Sequence, residues 1–174
     1  MKKLVLDAAM VPGLTGMSLA QTGPTAHDNA TVSASVVAAL TCTSTSPLDF
    51  GTVVQGQTKV VSPTAAAPTG GSVGAFTVRG TSNANVIFTF SAPTNLTDAA
   101  SDNLPFTVAT PVYNPTSNTN TTGTTAFSSS GGGTMAMPAA TLYIFIGGTV
   151  DASGSPNPPT GSYSGAYTLT VQYQ

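Results

Sequence analysis

The chain has a single cysteine, no tryptophan, one histidine and no glutamate, and only 4 basic and 6 acidic residues among 174. One cysteine, Cys42, excludes an intramolecular disulfide. One histidine, His27, in a polar stretch near the start of the chain, leaves nothing from which a His–nucleophile–carboxylate set could be built. Two of the basic residues, Lys2 and Lys3, stand at the N-terminus, and beyond them only Lys59 and Arg79 remain. Two cations cannot neutralise a row of phosphates, so nucleic acid is excluded as a partner, as is a polybasic contact with anionic lipid. The longest apolar run, around residues 142–146, falls far short of the roughly eighteen residues that a spanning helix needs, so no membrane insertion is expected.

Short motifs with catalytic counterparts lack the partners that would make them work. Gly70-Gly71-Ser72-Val73-Gly74 has the spacing of a nucleophile elbow, but a strand pattern follows Ser72 where a helix is required. Asp49-Phe50-Gly51 matches a kinase metal-binding tripeptide, without a catalytic loop or a paired lysine. The aspartates are scattered, Asp98 and Asp102 being a near pair in a loop, and no calcium-loop or paired-carboxylate motif accompanies them. Asn29, Asn95 and Asn120 open Asn-x-Thr triplets, which in a chain this rich in Asn and Thr carry little weight. No catalytic, cofactor-binding or metal-ligating residue is assigned, and the chain is not expected to be an enzyme.

The start of the chain sets a compartment. Lys2 and Lys3 precede a mostly apolar or small stretch ending in Ser18-Leu19-Ala20, the small-x-small form of a signal-peptidase site, although Asp7 and Pro12 interrupt it. Residues 1–20 read as a cleaved Sec signal, so the product is expected to be exported. Once they are removed, Lys59 and Arg79 face Asp28, Asp49, Asp98, Asp102 and Asp151, two positive charges against five negative, for a net charge of −3. Such a charge-poor surface, rich in Thr, Ser, Gly and Ala, suits a molecule that packs against its own copies outside the cell.

About 150 residues remain, enough for one domain with a real core. Strand patterns dominate, at residues 31–40, 48–54, 58–62, 75–79, 86–91, 104–112, 141–146 and 163–173, separated by Pro, Gly, Asn and Ser clusters. Many short strands without an amphipathic helical stretch predict an all-β sandwich. Phe76 with Val78, Val86 with Phe88 and Phe90, and Phe106 with Val108 each share a face and are expected in the core. Residues 114–134, a run of Asn, Ser, Thr and Gly with little but Phe127 to bury, predict a long exposed loop that holds at most a weak hairpin.

The two ends carry the remaining signals. Residues 21–29 form a polar arm with Gly23 and Pro24. Beyond it Ala30, Val32, Ala34, Val36, Ala38 and Leu40 alternate with Thr31, Ser33, Ser35, Val37, Ala39 and Thr41. This strand could pair within its own domain, or add to the exposed sheet edge of a neighbouring molecule. At the other end Tyr163, Gly165, Tyr167, Leu169, Val171 and Tyr173 share one face, so the chain closes on a strand that has no hairpin partner after it.

The last fourteen residues resemble the C-terminal signature of chaperone–usher pilus subunits, with Gly161 and the penultimate Tyr173 at the bounding positions. Taken with Leu48-Asp49-Phe50-Gly51-Thr52-Val53, Gly74-Ala75-Phe76-Thr77-Val78 and Ile146-Gly147-Gly148-Thr149-Val150, the chain resembles an uncharacterised bacterial family related to the spore coat protein U domain and to archaic chaperone–usher pilus subunits. The resemblance implies an immunoglobulin-like β-sandwich of pilin type over residues 41–174, lacking its final strand and completed by a donor strand from a neighbouring subunit. It further implies a periplasmic chaperone gripping the strand marked by Gly161, Tyr163, Tyr167, Leu169, Val171 and Tyr173, and assembly at an outer-membrane usher into an extracellular fibre. Residues 21–40 would then be the arm and donor, entering a groove expected between Tyr167, Leu169, Val171 and Tyr173 on one side and the strands around Phe76 and Phe88 on the other. The alternative is a self-contained secreted β-sandwich binding module, an adhesin or coat protein. Related subunits commonly carry a disulfide that this chain cannot form, and Cys42, beside an apolar strand, is expected to be buried.

Overall fold

The computed structural model describes residues 28–174, and the expected signal and the polar arm up to His27 lie outside the described residues. The chain divides into two units, Met1–Ser35 and Val36–Gln174. Of the first, residues 28–35 are described; they belong to no strand and are exposed. The second holds twelve strands and, among the described residues, no helix. In chain order these are β1 Thr41–Ser46, β2 Thr58–Val61, β3 Gly74–Arg79, β4 Asn85–Ser91, β5 Asn95–Thr97, β6 Asn103–Val108, β7 Val112–Asn114, β8 Thr125–Ala126, β9 Gly132–Ala136, β10 Thr141–Ile146, β11 Gly148–Asp151 and β12 Thr168–Tyr173.

Three antiparallel sheets result, ordered β1-β3-β10-β7-β8, β12-β4-β9 and β2-β11-β6-β5. The first and third are continuous along two strands. Only Gly147 separates β10 from β11, and its neighbours β7 and β6 follow the same bend, with the Ala109 N–H donating to the Gly147 carbonyl at 3.0 Å. Glycine is required at the bend because a Cβ there would run into the Val61 carbonyl. On one side of the bend the small sheet β12-β4-β9 packs face to face on the large one, giving the two-layer arrangement of a β-sandwich.

Alternation explains the core between these layers. Val86, Phe88 and Phe90 point inward from β4, Val78 from β3, and Leu142 and Ile144 from β10, all buried together with Phe127 and Met137. Across the β4–β12 pair, Val86, Phe88 and Phe90 stand opposite Tyr173, Val171 and Leu169, so the apolar stripe of the last strand lies on the same face as that of its partner. Past the bend a second cluster forms around Phe50, Val61, Leu104, Phe106, Val150 and Ala152. A smaller one, Ala75, Val112 and Phe145, lies on the opposite face of the large sheet.

Several expected elements differ. Residues 31–40 form no strand; the first strand begins at Thr41, where the side chains are Thr, Cys and Ser and almost all exposed. Residues 48–54 are irregular because Asp49 turns the chain, its carboxylate accepting the Gly51 N–H at 2.8 Å, and Gly51 takes a φ of 61° against the Gly70 carbonyl. The run 104–112 is broken at the bend into β6 and β7, and the run 163–173 is a strand only from Thr168. Residues 115–124 are in no strand and mostly exposed, and a buried side chain organises them. Asn114 is 1 % exposed; its amide donates to the Thr119 and Thr122 carbonyls, and its oxygen accepts from the Thr116 and Ser117 N–H groups and the Thr116 hydroxyl, at 2.9–3.0 Å. The chain then supplies β8, buried Phe127 and β9. Cys42 is exposed on β1 rather than buried.

Asn114→Ala would remove five hydrogen bonds that converge on one buried side chain. It should lower stability by about 2 kcal/mol or more, and in hydrogen exchange the Thr116 and Ser117 amides should lose protection before those of β10.

Candidate functional site

Two strands end their sheets side by side. β1 is the last strand of the large sheet and β12 the last of the small one, and among the described residues each is hydrogen-bonded on one edge only. They approach one another across the open side of the sandwich. Their directions are opposed: Leu40, just before β1, and Tyr173 both reach the Gly80 turn, while Phe76, paired with Ser44 of β1, places its ring 6.3 Å from that of Tyr167, just before β12. An edge of unpaired N–H and C=O groups is a template for another strand, and here two such edges border one opening.

Towards the Ser46 and Tyr167 end the opening widens into a cavity of about 870 Å³. Its apolar lining comes from Phe76 and Ile146 of the large sheet and from Phe106, Val150, Leu96 and Leu104 past the bend. Two irregular segments make the walls. Residues 48–55 are held by the Asp49–Ser72 bridge and by Lys59, whose ammonium donates to the Thr52 carbonyl at 2.9 Å and the Thr69 carbonyl at 3.4 Å. Residues 158–165 are held by the Ser164–Thr97 bridge and by the Tyr163 hydroxyl, which donates to the Pro159 carbonyl at 2.8 Å. The Gln55 amide donates to the Pro158 carbonyl at 2.6 Å, joining the walls.

The expected C-terminal residues divide between wall and core. Gly161 and Tyr163 lie in the wall, and a Cβ on Gly161 would sit 3.0 Å from the Asp98 carboxylate. Desolvation, with Asp98 and Asp102 close by, pushes the Tyr163 phenol up. Tyr167 lines the cavity, whereas Leu169, Val171 and Tyr173 are half-buried against the main core. Phe76 lines the cavity too; Phe88, expected beside it, is 1 % exposed and belongs wholly to the core.

The donor residues divide as well. Ala30, Val32, Ala34 and Val36 lie outside any strand, with Val32 95 % and Val36 93 % exposed. Ala38 and Leu40 belong to the domain itself. The Ala38 N–H donates to the Thr81 hydroxyl at 2.7 Å, its carbonyl accepts the Tyr173 hydroxyl at 2.8 Å, and Leu40 packs on the core. Sequence alternation ran through all six positions and carried no sign of this division. The wall at 48–55 was equally hidden, since Phe50 and Val53 read as strand positions.

Tyr167 carries an unsatisfied polar group. Its hydroxyl is buried and has no hydrogen-bond partner among the described residues, and burial pushes its phenol far above the ordinary tyrosine range. Cys42 is partly desolvated despite its exposure, which raises its thiol and keeps the thiolate scarce at neutral pH. Among the described residues no cluster of His, Cys, Asp or Glu could hold a metal ion.

Because folding raises the Tyr167 phenol, the folded state holds its proton more tightly than the unfolded chain. Its contribution to stability is fully present below about pH 10, the unfolded tyrosine value, and is lost as pH rises above that. Urea midpoints should therefore fall between pH 9 and pH 11, and by less in Tyr167→Phe. At pH 7 the same variant, relieved of an unpartnered hydroxyl, should be more stable by about 1 kcal/mol.

No curated protein and no solved structure matches the chain. One family matches residues 40–173, from the residue before β1 to the last residue of β12. By that match over most of its length, the chain belongs to the DUF4402 family, a domain of unknown function.

Proposed function

We propose that the protein is a structural subunit of an extracellular fibre, polymerising head to tail by donor-strand exchange after chaperone–usher secretion. The observation that carries the reading is the opening between the free edges of β1 and β12, which continues into a cavity lined by both apolar and polar side chains. Its occupant is the segment around residues 30–36 of a second copy. That segment has the complementary character: four small apolar side chains at alternate positions, in no strand, with its two valines almost fully exposed. A strand added to a free edge at the opening would gain about 1 kcal/mol for each main-chain hydrogen bond, and would turn Ala30, Val32, Ala34 and Val36 inward.

The same geometry suits the other partners of the reading. A periplasmic chaperone would occupy the edge of β12 before assembly, and an outer-membrane usher would be the place of exchange. A contact in which the arm of one copy enters the groove of the next does not close on itself and so propagates into a filament. The resemblance at the two ends of the chain, the signal-like pattern of residues 1–20 and the lack of cations for nucleic acid or lipid support the same reading.

Unboiled and boiled SDS gels of material sheared from cells test the proposal directly. A ladder of multimers that collapses to monomer on boiling is the expected result. Monomer in both lanes would favour a self-contained binding module instead. Val32→Asp or Val36→Asp would bury an unpaired carboxylate in the groove at a cost of several kcal/mol. Each should cut the ladder about tenfold or more while changing the stability of the monomer by less than about 0.5 kcal/mol, since both positions are exposed there. Normal fibres from both variants would sink the assignment of the donor.

A further inference from the structure

The proposed fibre leaves one question of direction. An arm joined to the start of β1 is tethered beside the groove of its own subunit, and a tethered strand competes at a high effective concentration with one arriving from solution. To enter its own groove, the segment at 30–36 would have to reverse immediately before β1 and pair with it as a hairpin. Such a reversal needs a turn of at least about two residues, and the only residues available lie at 37–40.

Those residues are already committed. Both main-chain groups of Ala38 are occupied, the N–H by the Thr81 hydroxyl at 2.7 Å and the carbonyl by the Tyr173 hydroxyl at 2.8 Å. The Tyr173 hydroxyl is itself fixed, because it accepts the Thr81 N–H at 2.8 Å. Leu40 packs on the main core, and Gly80 admits Leu40 and Tyr173 so closely that a Cβ there would lie 2.8 Å from both. Tyr173, Thr81 and Ala38 thus form a closed ring of three hydrogen bonds across the start of β1 and the end of β12.

We infer that this ring is a directional clamp: by holding residues 38–40 it denies the arm the turn it needs to close on its own subunit, and so reserves the groove for the arm of another copy. The inference rests on the donor-strand reading above and assigns Tyr173 a positioning role within it. It also sets the donor boundary, since Ala38 and Leu40 stay with their own domain and the transferable segment ends before Ala38.

The test compares the full exported chain with Tyr173→Phe, which removes the phenolic hydroxyl and keeps the ring, and with Thr81→Val, which removes the acceptor for Ala38 and leaves Tyr173 intact. Two readouts are taken on each: the unboiled ladder, and hydrogen exchange of amides 30–36 in the monomer fraction. With the clamp intact, the ladder should dominate and the arm amides of residual monomer should exchange freely. Either variant should raise the monomer share about threefold or more, and in that monomer amides 30–36 should become protected at least about tenfold, the mark of a self-closed arm that simple destabilisation would not produce. Ladders and exchange unchanged from the parent in both variants would overturn the clamp while leaving the fibre reading intact. A parent chain that forms no ladder at all would overturn the fibre reading, and the clamp with it.

Discussion

The packing of β4 against β3 and β10, through Phe88, Val78, Leu142 and Ile144, is the interaction on which everything else depends. It fixes the small sheet over one half of the large one. Because β4 is flanked by β9 on one side and β12 on the other, the same packing decides that the last strand of the chain borders the open side of the sandwich. The first strand arrives at that side from the other sheet. Burial of a few aromatic and aliphatic side chains thus leaves two sets of main-chain groups facing one gap, and the cavity is a consequence of where the core stops.

The second constraint is the bend at Gly147. Beyond it the large sheet continues without a full second layer, and its apolar face, from Phe106 to Val150, is only partly covered by irregular chain at 48–55 and 158–165. Irregular segments must satisfy their polar main-chain groups individually. Here they do so through single bridges, Asp49 with Ser72 and Ser164 with Thr97, and through side chains such as Gln55 and Tyr163. Their cover is incomplete for that reason, and the space left has the dimensions of a binding groove.

Much of this was legible in the chain itself. Period-two alternation at Val86, Phe88 and Phe90 and at Leu169, Val171 and Tyr173 gave both strands and the faces they bury, because a half-buried strand must alternate. The all-β class followed from the same signal. What could not be read were features set by long-range partners. Asn114 looked like any residue of a polar tract, yet it organises that tract from a buried position, and glycines at 132 and 133 begin a strand because a neighbour, β4, is there to receive it. The alternation at 30–40 continued smoothly across Ala38, although what divides that segment is a hydroxyl 135 positions away. Of the candidate site, Gly161, Tyr163 and Tyr167 have the pattern of a terminal strand, yet they lie in irregular chain before β12; residues 48–55 have a strand's periodicity too, but Asp49 and Gly51 break the chain there by turn geometry that apolar periodicity does not register.

Lys59 has a wider consequence. Its ammonium is held by the carbonyls of Thr52 and Thr69, so a wall of the groove is fastened by a cation to main-chain dipoles and not by a pair of opposite charges. Dissolved ions weaken attraction between exposed charges over about 8–10 Å at ordinary ionic strength, and a contact between an ammonium and neutral carbonyls contains no such pair of charges to weaken. The fastening of this wall should accordingly depend less on dissolved salt than an exposed ion pair in the same place would.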